Sequence, residues 1–266
     1  MNDTRKWMRR AMKASGAVAV SLILSVGSTA SQQSASPRAN TISPEANFAK
    51  GVVTDARGRP LVGAKIVVGS TVYYNSNIRG GTNAKGEYRV RLTPQDSWRA
   101  YASIERSYHG RTYVLDLHPV AYNTFSSAEG GVQNFVWKLS GDKEGAKHGT
   151  YGGAVLAIPV EKDFDTIIEA RFVELTLRPV GPLIDGSPGS VVTKLVRPSP
   201  NGTGVFDVPL GQYRVTARYV APERSPVDML VRAAGTEAWN KEVVRDFEPA
   251  RSGAGTYEIR LDVTLP

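Results

Sequence analysis

The chain has 266 residues, 33 Lys+Arg against 25 Asp+Glu, 41% hydrophobic residues and no cysteine. That length suits one or two compact domains with a sizeable buried core. Without cysteine there is no disulfide framework, thiolate metal site, cysteine nucleophile or lipid-modified N-terminal cysteine.

Arg5, Lys6, Arg9, Arg10 and Lys13 form a basic head, followed by an apolar run from Ala17 to Val26 and the small residues Ser28-Thr29-Ala30. Charged head, short apolar run and small-residue exit predict a secretory signal peptide over residues 1–30. The run is short for a bilayer span, which needs roughly 20 apolar residues, so no stable membrane span is expected after cleavage. Arg9-Arg10 only faintly matches a twin-arginine signal, because Met8 and Lys13 occupy positions where Ser/Thr and an apolar residue are usual; the general secretory route is expected. The chain is thus expected to be exported, periplasmic or extracellular. The leader carries five Lys/Arg and one Asp, which leaves 28 basic and 24 acidic residues, a net of +4, in the remainder. Those charges are interspersed, so a nucleic-acid partner is not expected.

Residues 31–45, rich in Ser, Gln, Pro, Ala and Asn, read as a disordered linker. From Phe48 the texture is that of short strands separated by Gly, Pro, Asn and Asp, without sustained helical periodicity. A first strand is expected at Ala49–Thr54, a turn at Asp55–Pro60 and a second strand at Ala64–Gly69. After the turn Asn83-Ala84-Lys85-Gly86, residues Tyr88, Val90 and Leu92 alternate with Arg89 and Arg91, as in a strand with one buried face. A long hairpin follows. Trp98, Ala100, Ala102 and Ile104 alternate with Arg99, Tyr101, Ser103 and Glu105; the bend falls at Tyr108-His109-Gly110; Tyr113, Leu115 and Leu117 then alternate with Val114, Asp116 and His118. Val132–Leu139 completes a β-sandwich over 46–140. Residues 141–150 read as a linker rich in Gly and charge.

A second β-sandwich is expected over 151–266, with Val173, Leu175 and Leu177 inward, turns at Pro188-Gly189 and Asn201-Gly202, and strands at Phe206–Pro209 and Gln212–Tyr219. Its last strand sets Tyr257, Ile259, Leu261 and Val263 on one face and Glu258, Arg260 and Asp262 on the other. The halves look related. Gly86, Tyr88, the Trp98-Arg99 pair and Ala102 match Gly204, Phe206, the Tyr213-Arg214 pair and Ala217, and Arg59–Gly63 is a further candidate match for Gly181–Asp185. The fold class is therefore all-β: two tandem Greek-key, immunoglobulin-like or transthyretin-like β-sandwiches after a signal peptide.

The stretch Gly51-Val52-Val53-Thr54-Asp55-Ala56-Arg57-Gly58-Arg59-Pro60-Leu61-Val62-Gly63-Ala64-Lys65-Ile66, with Thr82-Asn83-Ala84-Lys85-Gly86-Glu87-Tyr88, resembles the carboxypeptidase regulatory-like domain. The resemblance covers residues 48–140 and reaches the second half weakly. It implies a transthyretin-like, carbohydrate-binding-like sandwich of about seven strands, and little about activity. Gly58 and Pro60 would shape the first hairpin, Gly63 would allow a bulge or close approach, and Tyr88 would plug the core. Related Gram-positive surface sandwiches carry a Lys–Asn isopeptide crosslink whose lysine lies two residues before the turn Asp; here that position is Val53, so no such crosslink is expected.

Catalytic patterns are weak. The three histidines, His109, His118 and His148, lack a His-x-x-Glu zinc spacing, and Asp116 and His118, two apart on one expected strand, are the best metal pair with His109. Asp163, Asp165, Glu169 and Glu174 fit positions of a calcium loop, but Ile168 stands where its turn needs Gly. There is no Gly-x-Ser-x-Gly elbow. No metal, cofactor or enzymatic activity is expected.

Aromatics are the functional signal: eleven of 22 Phe, Trp and Tyr lie between Tyr73 and Trp137. Most read as core, but Tyr101, Asp116 and His118 should share an outer sheet face, with Tyr74, Asn75 and Asn77 in a nearby loop and Tyr108 at a bend. Aromatic plates beside Asn, Asp and His stack on sugar rings and bond their hydroxyls. These seven residues are the candidate ligand-binding set. The expected function is an exported non-catalytic binding module for a cell-envelope glycan or protein. The alternatives are an accessory domain that stabilises an envelope enzyme, or a hydrolase using the acidic cluster near Asp163.

Overall fold

The computed structural model describes residues 42–266 except 95–96, 145–148, 164–165, 223, 252 and 254. The expected signal peptide, most of the expected linker, His148 and Asp165 lie outside the described residues.

The first half runs β1 (Phe48–Asp55), β2 (Lys65–Ser70), β3 (Asn77–Gly81), β4 (Glu87–Arg91), β5 (Trp98–Tyr108), β6 (Arg111–Asp116), β7 (His118–Pro119), β8 (Gly131–Val132) and β9 (Phe135–Trp137). One sheet has the order β4-β1-β9-β7, with β8 also on β1, and the other β3-β2-β5-β6. Strict alternation on β4 and β5 sends Tyr88, Val90, Trp98, Ala100, Ala102 and Ile104 into the core between the sheets. The loops that close this sandwich follow from local chemistry. Asp55 Oδ1 accepts the amides of Arg57 and Arg59 at 2.9 Å each, and Asn83 Oδ1 accepts those of Lys85 and Glu87 at 2.8 and 3.0 Å. Each is a side chain mimicking a backbone turn. Tyr88 fills the core as its motif suggests, its hydroxyl donating to the Gln133 carbonyl at 2.7 Å.

Glu45, placed by composition in the disordered lead, belongs to the folded body. It bridges to Phe48 and pairs with Lys50 and Arg89, and those two cations hold its carboxyl down at about 2. Composition over a window misses a single anchored charge at the window's edge. The stretch expected as a plain linker is likewise tied down where it is described: Asp142 bridges to Thr150, and Asp207 accepts the amides of Gly141 and Gly152 at 2.8 and 3.1 Å.

The second half runs β10 (Gly153–Pro159), β11 (Val173–Pro179), β12 (Val192–Leu195), β13 (Arg197–Ser199), β14 (Gly202–Val208), β15 (Gln212–Tyr219), β16 (Val227–Asp228), β17 (Leu230–Ala233), β18 (Val243–Asp246), β19 (Glu248–Pro249) and β20 (Tyr257–Thr264). Its sheets are β13-β14-β10-β20-β17, with β19 also on β20, and β12-β11-β15-β16, with β18 also on β15. The halves repeat one plan. In each, the first strand runs parallel to the last, β1 with β9 and β10 with β20. In each, the chain changes sheet after one crossing residue whose amide bonds the matched alanine: Leu117 to Ala102 and Met229 to Ala217, both at 2.9 Å. Trp98 and Tyr213, paired from sequence, are both fully buried.

Three expectations about the second half are corrected. Phe206 does not repeat Tyr88: a register shift between Gly153 and Val155 and a φ of 59° at Asp207 turn the strand, so Val205 and Val208 are buried while Phe206 lies under Arg197. A bulge moves every later side chain to the other face. Arg59–Gly63 and Gly181–Asp185 are not equivalent, since one links the first two strands of its sandwich and the other follows the second strand. The polar face expected on β20 is not exposed: Glu258 and Asp262 are buried, paired with Arg260 at 3.2 Å and Arg232 at 2.9 Å. A strand with neighbours on both edges has its outer side chains covered by theirs.

Candidate functional site

The outer face of the β3-β2-β5-β6 sheet follows from cross-strand register. Asn77, Gly69 and Arg99 form one row, Arg79, Val67 and Tyr101 the next, and Lys65, Ser103 and Asp116 a third. Tyr101 is the large aromatic of this face, 46% exposed. A Cβ built on Gly69 would stand 2.9 Å from Asn77 Oδ1 and 3.8 Å from the Tyr101 ring. The bare glycine is what lets those two side chains converge. Asn77 Nδ2 donates to Asn75 Oδ1 at 3.2 Å, which fixes the amide at the face's edge. The adjoining loop is bent by Ser70 Oγ, which accepts the amides of Val72 and Tyr73 at 3.2 and 3.0 Å. Its tip leaves Tyr74 wholly in solvent.

Beside Tyr101 opens a groove of about 330 Å³ between β5, the crossing at Leu117 and the stretch before β10. Tyr101, Tyr122 and Tyr151 form its aromatic walls, and Asp116, Lys143 and Glu144 its charged rim. Sequence reasoning missed Tyr122 and Tyr151, which sit in loops with no strand alternation to point their rings. Tyr122 is held by Arg99, whose Nη1 donates to its hydroxyl at 3.2 Å and whose Cζ lies 4.3 Å from the ring centroid. Burial, then the hydrogen bond with Tyr101, raises the Tyr122 phenol. Burial, with Asp116 and Glu144 adding to it, pushes Tyr151 up to about 12. Both phenols therefore stay neutral near pH 7, able to donate to and accept from hydroxyl groups. Lys143 reaches Asp116 at 2.7 Å.

Of the seven residues singled out from sequence, Asn75, Asn77, Tyr101 and Asp116 share this face or its edge, and Tyr74 stands on the neighbouring loop. Two do not belong. His118 was expected beside Asp116, but the chain leaves the sheet at Leu117 and pairs His118 with Val136 in the opposite sheet. Period-two reasoning holds only while a strand stays in one sheet. His118 is buried, its Nδ1 3.3 Å from the Tyr151 hydroxyl and its Nε2 3.9 Å from Glu144. Tyr108 is taken up by the second sandwich: its hydroxyl donates to the Pro182 carbonyl at 2.8 Å and accepts the Gln212 amide at 3.1 Å. The metal candidates also part company, since His109 pairs with Asp246, Asp116 with Lys143 and His118 with Tyr151 and Glu144. In the acidic stretch, Glu169 pairs with Arg171 and Glu174 with Arg218.

Burial, followed by the Lys138 charge and partly offset by Glu144, lowers the His118 pKa from its ordinary 6.5. A histidine with a depressed folded-state pKa stabilises the fold above its unfolded value and loses that contribution as pH falls through the folded one. Part of the stability lost between about pH 7 and pH 5 is therefore expected to vanish in His118→Gln. Melting curves of both proteins across this range check it; equal slopes would refute it.

The tip of the β5–β6 hairpin is the junction between sandwiches. Tyr113 donates to the Phe247 carbonyl at 2.8 Å, and the Tyr257 hydroxyl accepts the Val114 amide at 2.7 Å and donates to its carbonyl at 3.2 Å. The Tyr113 and Tyr257 rings lie 4.9 Å apart. Around them, His109 meets Asp246 and Arg111 meets Glu248, both at 2.8 Å.

Fold and face together define an all-β, two-sandwich protein with an aromatic sheet face. No protein-family model and no curated protein sequence matches the chain. Among solved structures it is similar to the TIE protein of Bacillus anthracis at 12% identity, covering 82% of this chain and 34% of that one, with a TM-score of 0.33. A streptococcal ancillary pilin matches at 11% identity over 81% of this chain and 62% of its own, TM-score 0.27. The shaft pilin SpaA of Lactobacillus rhamnosus GG, in a mutant form, matches at 10% identity over 84% and 99%, TM-score 0.24. The chain thus spans about a third of the first of these and under two thirds of the second. At scores of this size the likeness carries nothing about what this chain binds.

Proposed function

We propose that this protein is an exported, non-catalytic binding module whose ligand is a cell-envelope glycan, bound across the Tyr101 face and its groove. The observation that carries the reading is the half-exposed Tyr101 ring, flanked by Asn77 and opening onto a groove walled by Tyr122 and Tyr151. A sugar ring stacks its C–H face on such a plate, while amide, phenol and carboxylate groups at the edge bond its hydroxyls. Export rests on the leader pattern; among the described residues no helix is long and apolar enough to cross a membrane.

Tyr101→Ala is expected to weaken glycan binding about tenfold or more, as loss of a stacking surface does, with the melting temperature little changed because the ring is half exposed. An array of envelope glycans read with both proteins tests this. An array blank for the unsubstituted protein, or equal binding by both, would sink the reading, and capture of an envelope protein through the same face would replace the glycan by a protein partner. A second reading, an accessory element that spaces or braces a partner enzyme, is favoured by the bonded junction at Tyr113 and Tyr257. Co-purification with an envelope enzyme that survives Tyr101→Ala would support it.

A further inference from the structure

A second cleft, of about 360 Å³, opens on the second sandwich between β17, β18, β19 and β20, and Arg245, Arg251 and Arg260 line it. Arg245 occupies an unusual place. On β18 it stands in register with Tyr213, as Val243 does with Val215, and Tyr213 and Val215 are core. Cross-strand partners share a face, so Arg245 leaves β18 on the side of the gap between the sheets and, at this open edge, lines the cleft while staying exposed to solvent. The floor opposite is Ala233-Ala234, too small to fill the gap.

The acids around the cleft are already engaged. Asp246 accepts from His109 at 2.8 Å and from Gln212 at 3.1 Å. Glu248 pairs with Arg111 at 2.8 Å and Glu258 with Arg260 at 3.2 Å. The contacts with His109 and Arg111 come from the first sandwich, so the junction draws two carboxylates away from the cleft. Among the described residues, neither Arg245 nor Arg251 has an acidic partner. The cleft carries three arginines and three acids; the acids are engaged, which leaves two guanidiniums without an acidic partner on a cleft with a volume in the range of small-molecule sites.

We propose that this cleft binds an oxyanion, the carboxylate or phosphate group of a small ligand, between Arg245 and Arg251, with Arg260 supporting from β20. The planar guanidinium fork matches both groups, which a lysine point charge does not. This site lies apart from the Tyr101 face and stands whether or not that face binds glycans. An inward charge on an edge strand also discourages edge-to-edge pairing, a role that needs no ligand, so binding must be measured directly.

The purified protein is titrated calorimetrically at low salt with galacturonate as carboxylate probe, glucose 6-phosphate as phosphate probe and methyl galactoside as neutral control. At least one anion is expected to bind and the neutral sugar not to. Saturation by one anion alone identifies which group the cleft takes. Arg245→Gln and Arg251→Gln are each expected to weaken binding about tenfold or more; Tyr101→Ala is expected to leave it unchanged. Both arginines are exposed, so the variants should fold, and Arg245→Lys, which keeps the charge and loses the fork, is expected to bind with intermediate affinity. Heats no larger than the neutral control's for both anions, or anion binding unaltered in the Arg245→Gln, Arg251→Gln double variant, would overturn the proposal.

Discussion

Gly130→Ala is expected to destabilise the protein by about 4 kcal/mol or more, enough to unfold a domain of ordinary stability at moderate denaturant. Two costs add. Gly130 has a φ of 73°, a left-handed conformation that costs an L-residue roughly 1–2 kcal/mol. Its added Cβ would also stand 1.8 Å from the Glu45 carbonyl oxygen and 2.9 Å from that of Phe48. These are backbone atoms that cannot swing aside, and Glu45 is itself held by Lys50 and Arg89. The start of β1 would have to move away from β8, with which it is paired. Gly58→Ala is the control. Gly58 has a similar φ of 78° and nothing within 4 Å of its built Cβ, so only the conformational cost applies, roughly 1–2 kcal/mol. Urea unfolding of the two variants separates the terms. Equal losses would mean that the clasp of Gly130 against Glu45 contributes nothing.

The double substitution Tyr113→Phe, Tyr257→Phe is expected to lower stability by about 2–5 kcal/mol and to split one unfolding transition into two. Each tyrosine presents its ring to the apolar junction and its hydroxyl to a backbone carbonyl of the other half. Removing the Tyr113 hydroxyl strands the buried Phe247 carbonyl, which costs about 1–3 kcal/mol, and removing that of Tyr257 strands the part-buried polar groups of Val114 at a smaller cost, while the phenyl rings keep the packing. Three backbone groups, the Phe247 carbonyl and both polar groups of Val114, lose a partner in the double variant. The loss falls on the coupling between the sandwiches rather than on either core. Scanning calorimetry should therefore show the halves melting together in the native protein and separately in the variant. A single transition shifted by less than about 0.5 kcal/mol would show that the ion pairs at His109 and Arg111 couple the halves without the tyrosines.

The same junction explains which site residues could be read from sequence. Tyr101 could be read because it sits mid-strand, where alternation with Trp98, Ala100 and Ala102 leaves it no inward choice. Asp116 followed from alternation along β6, which stays in one sheet as far as that residue, whereas Asn77, read from sequence as part of a loop, opens β3, a strand with no sequence signal strong enough to place it. Tyr108 and His118 could not be read. Both lie at strand ends, one where a hairpin tip meets another sandwich and one where the chain changes sheets, and at such points the pattern along the chain says nothing of the neighbour. Tyr122 and Tyr151 are loop residues, oriented by Arg99 and by the packing of the stretch before β10, and no local period marks them. Gly69 was legible as a strand residue but not as the opening that lets Asn77 approach Tyr101, because a close approach is a relation between strands.

The amino-acid sequence alone determined the fold class, the inward faces of several strands, the turn chemistry at Asp55 and Asn83, and the kinship of the two halves. The inward faces so determined are those of β4, β5, β6, β11 and β20, and all of these are consequences of local propensity and period-two burial, which act over a few residues. The tertiary structure alone decided which outward residues remain free. It buried Glu258 and Asp262, handed Tyr108 to the junction, and left Arg245 and Arg251 without acidic partners. The reason is that burial and charge pairing depend on surfaces brought together from distant parts of the chain, and alternation along one strand carries no record of what will cover its outer face.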